Sequence, residues 1–221
     1  NNLLFDSKNN IKEYLQHDNI LLYNYFKNLF KIKKNKKLFL MSKKVLLSEN
    51  KIDIILNRFC CQLIENHRDL SNTGLIGLQP RGVYLLNKIV SLLEENYKIN
   101  KIKKGKLDTT FFRDDFRRSN KPISASSTEI DFSIEGKSIV LIDDVLYTGR
   151  TIRSALTAID SYGRPKSIEL LVLIDRRFSR HLPIQPDYLG VQVDAIDGDR
   201  VKVLWNETDL KNIVYIEKKY E

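Results

Sequence analysis

The sequence predicts an α/β fold, a doubly wound and mainly parallel sheet with helices on both faces. Three observations carry that prediction. From Met41 onward, short apolar runs alternate with segments whose apolar residues recur every three or four positions, the pattern of parallel strands joined by crossover helices. Hydrophobic residues make up 42% and charged residues 29%, a balance that builds an apolar interior and excludes wholesale disorder. The 221 residues suit one such domain of about 150 to 200 residues plus an appendage, not two full domains.

The elements follow in order. Ile52, Ile55, Phe59 and Leu63 stand three and four apart and set a first helix over 49–67. Residues 75–79 read as a buried strand. Arg81 opens a second helix, with Val83, Leu86, Ile89, Val90 and Leu93 as its apolar stripe, ending near Tyr97. The next strand is placed at 107–114, and the Ser-rich polar stretch 117–131 after it reads as a mobile loop or exposed β-hairpin. Residues 139–142 form a central strand, Ile152, Ala155, Leu156 and Ile159 mark a helix, and 168–174 is another buried strand. Residues 188–193, 201–205 and 213–216 have the lengths of antiparallel edge or hairpin elements. No internal repeat is visible.

Composition narrows the function classes. No apolar run approaches the roughly 20 residues of a membrane span, so no membrane partner is expected. Cys60 and Cys61 are neighbours, which suits neither a disulfide framework nor a metal site of spaced pairs and points to the cytoplasm. Net charge is +9, but residues 1–40 alone hold eight Lys against three acids. The modest surplus elsewhere permits phosphate ligands or nucleic acid and demands neither. Residues 1–40 also lack Arg, Gly and Pro, and the chain's single Met is Met41. Met41 is therefore expected to be the natural start of a domain over 41–221, with 1–40 a poorly ordered extension read in frame from AT-rich upstream sequence; the competing reading is a real basic amphipathic extension.

The chemistry concentrates at 141–151, L-I-D-D-V-L-Y-T-G-R-T, where a buried strand ends in two acids and a Thr/Gly turn opens a helix. In open α/β sheets ligands collect beyond the carboxyl ends of strands, and a helix N-terminus offers backbone N–H groups to an anion. Gly149 allows close approach to phosphate oxygens, Thr148 and Thr151 offer hydroxyls, and Asp143 and Asp144 are placed to accept hydrogen bonds from sugar hydroxyls or to organise hydrated Mg²⁺. A phosphorylated ribose satisfies both halves. No G-x-x-x-x-G-K-[ST] occurs, and no G-x-G-x-x-G follows a strand.

The segment resembles the phosphoribosyl diphosphate signature of type I phosphoribosyltransferases, and D-D-V-L-Y-T-G-R-T is similar to that of the bifunctional pyrimidine operon regulator and uracil phosphoribosyltransferase family. The resemblance runs from Met41 to the C-terminus and implies a sheet of that family's kind, with a small hood and a flexible β-loop. It implies phosphoribosyl diphosphate binding by Gln79, Pro80, Arg81 and Gly82 and by Asp143, Asp144, Val145, Leu146, Tyr147, Thr148, Gly149, Arg150 and Thr151, with Asp143, Asp144 and Arg81 catalytic. Pro80 departs from the family's Thr-Arg-Gly version and removes a backbone donor. Arg113, Asp114 and Asp115 fall where the flexible active-site loop begins. Asp175, Arg176, Leu182 and Pro183 resemble the hood that receives uracil, largely through backbone groups. His181, alone in a polar loop, receives no catalytic role.

The implied reaction joins uracil N1 to C1 of phosphoribosyl diphosphate, giving UMP and pyrophosphate, with Mg²⁺ held mainly by the substrate rather than by assigned protein ligands. Alternative bases are a purine or orotate. The family also implies homodimers or larger homo-oligomers and, in its regulatory members, an RNA leader as partner. Those members carry basic, Thr and His residues on the first helix, where this chain has Ile54, Asn57 and Cys61; only Arg58 and Arg180 are retained, and Gln185 replaces a frequent Arg. That reduced footprint favours the enzyme over the attenuator.

Overall fold

Helix α1, Glu49–His67, forms because Ile52, Ile55, Leu56, Phe59, Cys60 and Leu63 make one buried stripe and Glu49 complements the positive end of the helix dipole. The computed structural model describes residues 41–112, 127–196 and 198–219. Residues 44–217 form one compact unit; of the residues outside it, 41–43, 218 and 219 belong to the described residues. The expected extension over 1–40 lies outside them, as do loop residues Arg113, Asp114 and Asp115.

Strands β2 (Thr73–Leu78), β3 (Lys103–Leu107), β4 (Ser138–Leu146), β5 (Ser167–Arg177) and β6 (Tyr188–Asp194) form one sheet in the order β3-β2-β4-β5-β6. Every pairing in it is parallel, with Ile76 opposite Leu141 and Leu141 opposite Leu170. Helix α2 (Gly82–Glu95) joins β2 to β3, and helix α3 (Arg150–Ile159) joins β4 to β5. Alternation along the strands supplies two cores. Leu75, Val140, Ile142, Leu171 and Leu173 cluster with Phe59 of α1 and Leu85 and Ile89 of α2. Ile76, Ile139, Leu141, Leu170 and Val172 cluster with Ile152, Ala155 and Ile159 of α3. This is the doubly wound fold the sequence predicts.

A three-stranded sheet of order β1-β8-β7 is built from β1 (Met41–Leu47), β7 (Arg200–Leu204) and β8 (Ile213–Lys219), with the four-residue helix α4 (Asn206–Asp209) between the last two. β7 and β8 form the expected antiparallel pair, and Trp205, fully buried, joins Val203, Val214 and Ile216 in the α1/α2 core.

Three placements differ from expectation. The strand expected over 107–114 lies at 103–107 and is followed by a 3₁₀ turn, Thr110–Phe112, because only Gly105 and Leu107 of this Lys-rich edge strand are buried and the apolar signal is weak. The strand at 188–194 is parallel to β5 rather than an antiparallel element. Residues 41–47, given no element, are β1, whose partner comes from the other end of the chain. The segment after β3 touches it through an antiparallel Lys106–Glu129 bridge.

Leu171 is fully buried mid-sheet, on the α1/α2 side. Leu171→Ala is expected to cost about 2–5 kcal/mol, read as a lower urea midpoint at unchanged slope; parent-like stability would contradict its central position.

Candidate active site

The sheet order reverses at β2. The connection after β2 runs to one side, towards β3, and the connection after β4 runs to the other, towards β5. A crevice therefore opens between the carboxyl ends of β2 and β4, the usual ligand position in such sheets. Residues 79–82 end β2, Asp143 and Asp144 lie near the end of β4, and the 147–149 turn follows.

Gly82 sets the distance across the crevice. A Cβ there would lie 2.2 Å from the Ile142 carbonyl oxygen, so only glycine lets α2 begin so close to β4. Arg81, the residue before it, consequently reaches Asp144: Nε donates to Oδ2 at 2.7 Å. Asp144 is only 5% exposed, and Arg81 Nη2 is buried without a partner among the described residues. Asp143 is partly exposed, and its Oδ1 accepts the Asp144 N–H at 2.9 Å. Desolvation, joined by the neighbouring Asp144 carboxylate, holds the Asp143 carboxyl well above the usual carboxylate range. Asp144 is also raised by desolvation, with the Arg81 hydrogen bond and charge opposing the rise. The sequence treats the two acids alike, whereas the fold gives one to arginine and leaves the other partly open.

The Gln79–Pro80 peptide is cis. Gln79 donates its backbone N–H to the Leu107 carbonyl (3.0 Å) and its side-chain amide to the Ser127 carbonyl (2.6 Å), tying the end of β2 to the neighbouring segments. Val145 packs against the α1/α2 core and Leu146 lies in the α3 core, so what they present to a ligand is backbone. Gly149, at φ 87°, precedes α3, and Thr148 and Thr151 are partly exposed. Gly149, at the N-cap of α3, has no side chain to cap the helix, and the Arg150 N–H donates to the Thr148 hydroxyl at 3.4 Å. The turn is not sealed, since Tyr147 and Arg150 are exposed.

The hood residues meet this turn. Asp175 and Arg176, both buried, line with Pro183, Ile184 and Gln192 a cleft of about 830 Å³ beyond the end of β5. Leu182 sits instead above Gly149. The Arg176 guanidinium lies 4.0 Å from the Tyr147 ring centroid and donates to the Asp199 carbonyl at 3.2 Å. No local sequence signal marks this pair, whose members lie 29 positions apart. His181 is exposed, in keeping with a surface role. Among the described residues no three His, Cys, Asp or Glu side chains gather into a metal site, and no helix is long and apolar enough to cross a membrane.

Residues 43–205 match the phosphoribosyl transferase domain model. Curated relatives named bifunctional protein PyrR include one from Gloeothece citriformis, 43% identical over 173 residues (78% of this chain and 96% of the relative), and one from Caldicellulosiruptor bescii, 42% identical over 175 residues (79% and 95%). Among solved structures, a hypoxanthine phosphoribosyltransferase from Trypanosoma cruzi superposes with a TM-score of 0.59 at 15% identity, covering 80% of this chain and 97% of that one. One from Staphylococcus aureus does so with a TM-score of 0.58 at 20% identity, covering 80% and 92%. At such identities these structures speak for the fold alone.

The raised Asp143 pKa yields a signed prediction. A carboxyl raised on folding costs stability once pH exceeds its unfolded value, so stability falls as pH rises from about 4 through the higher folded value. Asp143→Asn removes this titration. It is expected to melt above the parent at pH 8, with the gap closing as pH drops below about 4; melting curves across pH check this, and a lower melting temperature at pH 8 would contradict it.

Proposed function

The chain belongs to the phosphoribosyltransferase family, in company with the bifunctional PyrR proteins, and from that premise we propose how its site works on uracil and phosphoribosyl diphosphate to give UMP and pyrophosphate. It is a phosphoribosyltransferase, and its reading as a uracil enzyme with pyrimidine-regulatory kinship stands. The observation that carries the site assignment is the Arg81–Asp144 pair spanning the switch point, its acid on the strand whose end opens through Gly149 into α3.

The turn over 147–151 takes the 5′-phosphate, with Gly149 admitting it closely and the first amides of α3 donating. Asp143 accepts from the ribose hydroxyls. Arg81, on the β2 side with Gln79, Pro80 and Gly82, donates to the leaving diphosphate. As the bond to C1 loosens, positive charge grows on the ribose, and carboxylates held in a desolvated site favour that charge more than water does. Uracil enters under the hood beside Asp175, Arg176, Leu182 and Pro183. Positioning supplies most of the acceleration, and no strong general base is required.

Mg²⁺ fits this donor set as a cation carried mainly on the diphosphate. The partly exposed Asp143 offers a carboxylate oxygen at the site, and no all-protein cage exists among the described residues. When bound it neutralises charge on the leaving group. We assign residues 41–221 to the transferase unit and 1–40 to an extension. We place the protein in the cytoplasm as a homodimer or larger homo-oligomer; the free cysteines Cys60 and Cys61 support that compartment.

A second, RNA-binding activity is favoured by the relatives' description as bifunctional. Against it, Arg58 donates to the carbonyls of Leu189 (2.8 Å) and Gly190 (2.7 Å), and Arg180 is bound to the hood. We therefore rank catalysis first.

With labelled phosphoribosyl diphosphate and Mg²⁺, uracil is expected to yield labelled UMP, with hypoxanthine, guanine and orotate at least about 100-fold poorer; chelating Mg²⁺ should abolish turnover. Preference for any other base overturns the uracil assignment. Leader RNA should bind weakly at about 0.15 M salt; tight, UMP-dependent and steeply salt-sensitive binding would reverse the ranking.

A further inference from the structure

The 147–149 turn is tethered to the hood by two hydrogen bonds to its carbonyl oxygens. Arg180 Nη1 donates to the Tyr147 carbonyl at 2.6 Å, and the His181 backbone N–H donates to the Thr148 carbonyl at 3.0 Å. Arg180 is itself anchored, because Nη2 pairs with Asp175 Oδ1 and Gln192 Nε2 approaches the other carboxylate oxygen at 3.4 Å. Leu182 and Ile184 close the contact, lying 3.4 and 3.1 Å from where a Gly149 side chain would begin.

A trans peptide is planar, with its C=O and N–H pointing in opposite directions. Drawing the Tyr147 carbonyl towards Arg180 therefore turns the Thr148 N–H away from the hood. Drawing the Thr148 carbonyl towards His181 does the same to the Gly149 N–H. Two peptide planes are thus fixed with their donors on the side opposite the hood, just before the N-terminus of α3. The turn's other contacts, Arg176 against the Tyr147 ring, the Arg153 N–H donating to the Gly149 carbonyl at 3.0 Å and the Arg150 N–H donating to the Thr148 hydroxyl at 3.4 Å, do not engage the Tyr147 or Thr148 carbonyl.

We infer that Arg180 is a positioning residue that aims the backbone donors of the 147–149 turn at the substrate phosphate and couples the hood to that turn through Asp175. This rests on the functional reading above and deepens it. Arg180 touches neither reacting atom. Its effect passes through the peptide planes, so it governs affinity for the phosphorylated substrate more than the chemical step at saturation.

The test uses the full chain with Arg180→Ala and Arg180→Lys, measuring steady-state kinetics and direct calorimetric binding of phosphoribosyl diphosphate with Mg²⁺. For Arg180→Ala, KM and Kd for phosphoribosyl diphosphate are expected to rise about 10-fold or more while kcat falls less than about 3-fold. Arg180→Lys, able to reach Asp175 or the Tyr147 carbonyl but not both, should fall between. Ethylguanidinium added to Arg180→Ala should restore much of the lost affinity and leave the parent unchanged, a response that a general loss of packing would not give. Unchanged affinity in a folded Arg180→Ala, or an equal loss in kcat with KM preserved, overturns the inference. If Arg180→Ala does not fold, Arg180→Lys decides: parent-like affinity overturns the inference and reduced affinity at parent-like kcat supports it. If the parent itself fails to bind phosphoribosyl diphosphate, the functional reading falls and the inference with it, whereas a parent that binds beside indifferent variants removes the inference alone.

Discussion

The active site depends on a missing side chain. Helix α2 starts against the backbone of β4 so closely that a methyl group at Gly82 would overlap the Ile142 carbonyl oxygen. Were α2 to start further out, Arg81 would not meet Asp144 at 2.7 Å, and the buried carboxylate would lose its cation. Leaving one member of a buried ion pair without its partner is more costly than never burying the pair. One glycine thus fixes the width of the crevice, the orientation of an arginine and the tolerable burial of an acid.

That acid and its neighbour explain why the site suits a reaction that generates positive charge. Both carboxyls are raised by desolvation; the Arg81 charge opposes the rise at both, and Asp144 is the one hydrogen-bonded to it. Such an arrangement works against stability when empty, because charged carboxylates are better solvated by water. A sugar on which positive charge develops, or a cation carried on its diphosphate, relieves the cost at the moment it is needed. The same desolvation that raises the pKa also strengthens the attraction to that charge. Stability and function therefore make opposite demands on Asp143.

The sequence made the central part of this legible because local and tertiary signals agree there. The helix over 49–67 carries an unbroken apolar stripe between Ser48 and Arg68, and its observed bounds match. The strand over 139–142 was equally plain, since its residues are buried on both faces. The signal failed where it depended on distant partners. β1 pairs with β8 from the far end of the chain, and β3, an edge strand with one lysine after another, buries too little to show a run. The direction of β6 was hidden because strand length does not encode parallel or antiparallel pairing; the chain reaches it through a hood loop instead of a crossover helix. At the site, D-D and T-G were readable as a motif, but the unequal fates of Asp143 and Asp144 arise from the approach of α2, and the Arg176–Tyr147 stack from the return of β5.

The arginines teach the same lesson in another form. Read along the chain, Arg58 and Arg180 belong to a depleted nucleic-acid footprint. Arg58 instead spans from α1 to two carbonyls of the edge strand β6, helping to fix a strand that has a sheet neighbour on one side only. Arg180 spans from the hood to the phosphate turn. A guanidinium engaged with a neutral carbonyl keeps its full charge, so neither bond removes it from the electrostatic field of the surface; what each removes is freedom to reorient towards a phosphate. An RNA strand competing for them would have to take the donor from carbonyls at the β6 edge or the 147–149 turn; of these residues Gly190 is buried, and leaving a buried carbonyl unpaired costs on the order of 1–3 kcal/mol. In this chain Arg58 and Arg180 are therefore engaged first in bracing the β6 edge and the 147–149 turn, and binding of RNA through these two residues would disturb those elements.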